Sequence, residues 1–227
     1  MDRGKGDTHM GKRPDFDLTL YLVAGGEAVG DRPLAEVIEA AVRGGVTLVQ
    51  LREKTMPDAA MVELAKDIIK RLQPYNIPLI INDRIEVALA ADAAGVHLGL
   101  DDIEAAPARA LLGPNKILGV SAGTPAEAAL VDPTLADYAG VGSLYPTSTK
   151  PDAGPPIGIE GLVALSRDIL LPVVAIGGIG VAQAEAVMAA GVAGIAVVSA
   201  ICGAADPEAA ARDLRQAIAA GRAKAAR

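Results

Sequence analysis

Residues 173–200 read VVAIGGIGVAQAEAVMAAGVAGIAVVSA, and this stretch decides the fold. Val173 to Ile176 is a short apolar run stopped by Gly177 and Gly178; Ile195 to Val198 is a second run, reached after a segment that Gly191 closes. Neither run alternates apolar with polar residues, which is the pattern of a parallel strand covered on both faces. Working outward, the same unit recurs. Comparable runs stand at Leu18 to Val23, Leu48 to Leu51, Leu79 to Ile81, Val96 to Leu98, Ile117 to Val120 and Tyr138 to Val141. Helical spacing fills the intervals: Leu34, Val37, Ile38, Ala41 and Val42 make one stripe, and Met61, Leu64, Ala65, Ile68, Ile69 and Leu72 another. Proline marks helix starts at Pro33, Pro57, Pro107, Pro125 and Pro207, and glycine marks helix ends at Gly44-Gly45, Gly113 and Gly191. Eight strands, each followed by a helix or a helical stub, predict a closed (β/α)8 TIM barrel rather than an open sheet.

A chain of 227 residues suits one such barrel, which runs to about 200–250 residues as a single domain. Residues 1–14, MDRGKGDTHMGKRP, are polar and aperiodic and read as a flexible leader or tag, leaving 15–227 as the barrel. The net charge of −7, with one Phe, four Tyr and no Trp, argues against a nucleic-acid groove, which needs a basic stripe and stacking aromatics. Cys202 is the single cysteine, so no disulfide forms within the chain, in keeping with a reducing, cytoplasmic setting. The uncharged run from Ala186 to Ala205 has the length of a membrane span, but Gly191, Gly194 and Gly203 interrupt it. It reads better as helix end, turn and buried strand. Small molecules are therefore the expected partners, with a homo-oligomer left open.

Functional residues of a barrel sit where its strands end. Strand 2 ends in Gln50-Leu51-Arg52-Glu53-Lys54, where period-two geometry sends Gln50, Arg52 and Lys54 the same way. Two cations and an amide at one mouth suit a polyanion; solvated surface charge is the alternative. Strand 3 ends in Asn82-Asp83 and strand 4 leads to Asp101-Asp102. Adjacent strands lie about 4.8 Å apart, so such carboxylates can share a hard cation, although each alone also suits a helix cap. His97 inside strand 4 reads as a satisfied barrel residue, with no assigned role. Ser121, ending strand 5, has no evident base beside it in the sequence, which favours hydrogen bonding over nucleophilic attack. The longest connection, Gly142 to Gly158, carries Thr147, Ser148, Thr149 and Lys150, read as an anion cradle in a lid or binding loop. A simple Ser/Thr turn is the alternative there. Gly178 after strand 7, with Val198 and Ser199 after strand 8, occupies the fold's recurrent phosphate position. Two anion sites emerge, one for a diphosphate with metal and one for a monophosphate.

With these residues in place, the chain resembles the thiamine-phosphate synthases. The likeness rests on QLREK (50–54), ND (82–83), GVHLGLDD (95–102), GVSAG (119–123), PTSTKPDAGPP (146–156), AIGGI (175–179) and VVSAI (197–201), in that order and spacing. It implies a transferase that joins 4-amino-5-hydroxymethyl-2-methylpyrimidine diphosphate to hydroxyethylthiazole phosphate, releasing pyrophosphate by a dissociative route. It implies that Gln50, Arg52, Lys54, Asn82 and Lys150 hold the pyrimidine diphosphate and that Ser121 touches the pyrimidine or leaving group. Asp83 and Asp102 would bind one Mg²⁺, while Thr147, Ser148, Thr149, Gly178, Val198 and Ser199 would hold the thiazole phosphate. Arg52, Lys54, Ser121 and Lys150 would carry the catalytic load. Gly123 and Ser143 depart from that pattern, where many members have His and Pro. Two alternatives remain: a thiazole tautomerase-like relative, whose histidine would stand at the Gly123 position, and a non-catalytic barrel that binds thiamine precursors.

Overall fold

The structure, a computed structural model, describes residues 15–147, 149 and 154–226. The expected leader, residues 1–14, and two expected site residues, Ser148 and Lys150, lie outside the described residues. Among the described residues eight parallel strands close into one barrel in chain order: β1 (Leu20–Ala24), β2 (Leu48–Leu51), β3 (Leu79–Asn82), β4 (Gly95–Leu98), β5 (Ile117–Ala122), β6 (Tyr138–Val141), β7 (Val173–Ile176) and β8 (Gly194–Val197). Every neighbouring pair is parallel, including β1 with β8, so no sheet edge remains open.

The predicted stripes are the buried faces of the covering helices. Helix Leu34–Arg43 buries Ala35, Val37, Ile38, Ala41 and Val42, and helix Asp58–Leu72 buries Met61, Ala65, Ile68 and Leu72. Pro125 and Pro207 open their helices and Pro33 and Pro57 precede theirs, whereas Pro107 lies two residues inside helix Ala105–Leu112. Strand β8 also ends a residue early: Val198, at φ −118° and ψ −83°, leaves the strand and leads into a single helical turn, Ser199–Cys202. The uncharged run from Ala186 to Ala205 is thus divided among a helix end, β8 and this turn. No helix among the described residues is long and apolar enough to cross a membrane.

Two apolar layers follow from the strand period of two. Outward-facing residues such as Leu22, Val49, Ile81, Val96 and Ile195 pack with the helices. Inward-facing residues, among them Tyr21, Leu48, Ile80, Ile117, Tyr138, Val174 and Ala196, fill the lower barrel, with Phe16 against the Tyr138 ring beneath them. Few polar side chains among the described residues are buried. Asp137 is one, and its carboxylate accepts from Arg109 at 2.7 Å and from the Leu118 N–H at 2.8 Å. Arg109 also donates to the carbonyls of Leu135, Gly113 and Lys116, which anchors the segment below β5 and β6.

Candidate active site

Above the apolar layer a cavity of about 520 Å³ opens at the C-terminal ends of the strands. Every described residue singled out from the sequence as a site residue lines it: Gln50, Arg52, Lys54, Asn82, Asp83, Asp102, Ser121, Thr147, Thr149, Gly178, Val198 and Ser199. The barrel brings together residues up to 149 positions apart because each strand delivers its last inward side chain to the same rim.

One wall is cationic and acidic at once. Arg52 extends the β1–β2 ladder through its N–H to the Ala24 carbonyl, 2.8 Å. Beyond it the chain is folded back by Arg84, whose guanidinium donates to the carbonyls of Lys54 and Met56 and to Asp58. The Lys54 ammonium then lies 3.3 Å from the Asp83 carboxylate. Asp83 itself sits at φ +63°, a strained backbone region that Asp tolerates better than most residues, and its N–H is bonded to the His97 carbonyl at 2.9 Å. Asp102 is held from the other side, its Oδ2 accepting the Gly99 N–H at 2.6 Å. Burial raises the Asp102 carboxyl above the usual range, and hydrogen bonding to Asp83 and repulsion from its charge raise it further; Gly99 and Lys54 oppose this. The two carboxylates thus converge on one point, where a shared cation would relieve their repulsion.

The opposite wall is made of loop backbone. Past β6 the chain continues beside β7, with the N–H groups of Leu144 and Tyr145 bonded to the carbonyls of Ile176 and Gly177 at 2.9 and 3.0 Å. Its far end is tied to its start, Ile157 and Gly158 donating to Ser143 and Leu144 at 3.0 and 3.1 Å, so the two ends of the long connection are pinned together. Gly177 and Gly178 are required there: both have positive φ, +104° and +65°, and a Cβ on Gly178 would meet the Pro146 carbonyl oxygen at 2.6 Å. Behind Val198 and Ser199, the Arg32 guanidinium donates to the carbonyls of Cys202 and Ala204 and fixes the end of that turn.

Between the walls runs a polar chain that the sequence reading missed. His97 Nε2 lies 3.0 Å from Ser121 Oγ, which corrects the expectation that Ser121 has no base beside it, while the bonds on both ring nitrogens bear out His97 as a satisfied barrel residue. His97 Nδ1 is 3.0 Å from the Tyr138 hydroxyl, that hydroxyl 2.8 Å from Tyr21, and Tyr21 2.7 Å from Gln50 Nε2. Glycine makes room for it: a Cβ on Gly119 would strike the Tyr138 ring, and one on Gly140 would come within 3.2 Å of the His97 ring. Inward-facing glycines in β5 and β6, opposite large polar side chains, were the available signal. At Gly123, one of the departures from the family pattern, a Cβ would meet the Gly142 carbonyl oxygen at 2.8 Å. The N–H groups of Gly123 and Thr124 are both taken up by Glu127, at 2.6 and 3.0 Å.

A parallel barrel that focuses its cations, its paired carboxylates and its glycine turns on one rim is an enzyme of the (β/α)8 class, with the C-terminal face as its working end. Comparison with known proteins narrows the class. Residues 20–201 match the family model described as thiamine monophosphate synthase. The thiamine-phosphate synthase of Xanthobacter autotrophicus is 52% identical over 207 residues, 91% of this chain and 98% of that protein. That of Moorella thermoacetica is 47% identical over 93% of this chain and 100% of its own length. The solved structure of a thiamine phosphate pyrophosphorylase from Pyrococcus furiosus superposes with a TM-score of 0.80 at 37% identity, covering 89% of this chain and 96% of that one. The chain belongs to the thiamine monophosphate synthase family.

Proposed function

We propose that this barrel couples 4-amino-5-hydroxymethyl-2-methylpyrimidine diphosphate to hydroxyethylthiazole phosphate, yielding thiamine phosphate and pyrophosphate. The observation that carries the reading is the convergence of Asp83 and Asp102 beside Lys54 on one wall, with a separate glycine-lined rim at Gly178, Val198 and Ser199 on the other. Two differently built anion sites in one cavity suit two phosphorylated substrates.

The residues fit Mg²⁺: two convergent carboxylates are the sparse, hard-oxygen protein contribution that this ion takes when diphosphate oxygens and water complete its shell. Bound by Asp83 and Asp102, Mg²⁺ would neutralise charge on the leaving diphosphate. Arg52, Lys54 and, outside the described residues, Lys150 add positive charge where that group departs. The C–O bond breaks with its electron pair going to the diphosphate, and the thiazole nitrogen lone pair then forms the new C–N bond. No proton needs removing from the nucleophile, so the chemistry needs no general base. Gln50, Asn82 and Ser121 orient the pyrimidine; Thr147, Ser148, Thr149, Gly178, Val198 and Ser199 hold the thiazole phosphate.

The test is to supply both substrates with Mg²⁺ and to follow pyrophosphate and thiamine phosphate together. Stoichiometric appearance of the two supports the synthase. Isomerisation of a thiazole carboxylate phosphate without coupling indicates the tautomerase-like reading, and binding without turnover indicates the silent barrel; either result overturns the proposal.

A further inference from the structure

We infer that His97 is a positioning residue, locked as its Nε2–H tautomer by a one-way line of hydrogen bonds that begins at Gln50 and makes Ser121 a donor into the cavity. The direction follows from counting protons. Gln50 Nε2 can only donate, so the Tyr21 oxygen accepts from it at 2.7 Å. Tyr21 carries one proton, and its remaining partner is the Tyr138 oxygen at 2.8 Å, so the proton points there. Tyr138 has likewise spent its acceptor on Tyr21 and donates to His97 Nδ1 at 3.0 Å. A neutral imidazole that accepts at Nδ1 carries its proton on Nε2, which faces Ser121 Oγ at 3.0 Å. Ser121 accepts along this line and turns its own proton to the cavity that it lines.

The reverse direction is costly. With the Gln50 amide nitrogen against Tyr21, it would leave Tyr21 with two donors aimed at its oxygen and its own proton without an acceptor, fully buried. Burial also pushes both phenols well above their ordinary range, so each keeps its proton and the line stays intact at physiological pH. The ligand chemistry follows, resting on the proposed function: at Ser121 the cavity takes a lone pair, such as a pyrimidine ring nitrogen or a diphosphate oxygen, and disfavours an N–H at that point.

Nitrogen-15 spectra of the imidazoles read the tautomer directly. The chain has only His9 and His97, so a His9→Ala variant leaves His97 alone in the spectrum. The expected result at neutral pH is an unprotonated, pyridine-type Nδ1 that accepts a hydrogen bond and a protonated Nε2. Tyr138→Phe should release Nδ1 and mix the tautomers. It should also raise the KM for the pyrimidine diphosphate roughly three- to tenfold, the worth of one hydrogen bond, with little change for the thiazole phosphate. A protonated Nδ1 in the otherwise native chain, or an unmoved tautomer in folded Tyr138→Phe, overturns the inference. The spectrum needs no substrate, so a native chain with the expected tautomer and no coupling activity would fault the proposed function alone.

Discussion

The Lys54 ammonium lies 3.3 Å from Asp83 Oδ2, so a cation suited to a departing diphosphate rests against one of the carboxylates suited to its metal. The pair is exposed, at 56% and 24% for the two side chains, and a contact of that kind contributes only about 0–1 kcal/mol to stability. On the proposed function its value is chemical. Lys54→Ala is therefore expected to lower kcat by about 10²–10³, the usual effect of removing one group that stabilises developing charge, while the melting temperature stays near that of the native chain. Steady-state kinetics and a thermal melt on the same sample check both halves.

Gly178 separates the two proposed phosphate sites experimentally. At φ +65°, with the Pro146 carbonyl oxygen in the way of a Cβ, Gly178→Ala strains the rim by about 1–3 kcal/mol. The KM for the thiazole phosphate should rise well above that for the pyrimidine diphosphate. Equal effects on both substrates would mean that the rim does not serve the monophosphate.

How far these residues can be read from sequence depends on what the signal encodes. Apolar runs and helical stripes report burial on both sides of a strand and on one side of a helix, and the barrel follows from repeating them. The same logic places Gln50, Arg52 and Asp83 at strand ends, because period two is a backbone property. The clamps are a different matter. Arg32, Arg84 and Glu127 act on backbone groups of loops far away or tightly turned, and nothing local marks an arginine that will meet a carbonyl 170 residues on. A strand histidine has no periodic signature that reveals its neighbours; only the β4–β5 register, which sets His97 beside Gly119, brings it to Ser121. The apolar side chain of Val198 continues the strand run, whereas its backbone already turns towards Ser199.

Stability away from the rim should respond to the Arg109–Asp137 pair. Arg109→Ala removes the 2.7 Å guanidinium partner of the Asp137 carboxylate, 3% exposed, and frees three carbonyls, at a cost of about 3–5 kcal/mol. Urea unfolding measures the loss, and the activity of the remaining folded enzyme should be unchanged because the pair lies below the cavity.

Alkaline pH gives a second handle on the core. Burial pushes the Cys202 thiol from 9.0 up to about 11. Between those values the unfolded chain releases the proton and the folded chain keeps it, so stability is full below pH 9 and falls as pH rises towards 11. The loss from this one group is up to about 2 kcal/mol. Tyr21 and Tyr138 add to the alkaline decline in the same direction, so the difference between the native chain and Cys202→Ala isolates the thiol. That difference should shrink across the interval; a constant difference would contradict a buried, protonated thiol.

The central claim is that Asp83 and Asp102 serve a diphosphate through a divalent ion. Calorimetric titration of pyrophosphate into the native chain and into Asp102→Asn, each with and without Mg²⁺, tests it most directly. The account predicts that Mg²⁺ tightens binding at least about a hundredfold in the native chain, a coupling of about 2.7 kcal/mol, and only marginally in Asp102→Asn. Pyrophosphate affinity in the native chain that is the same with and without Mg²⁺ would contradict it.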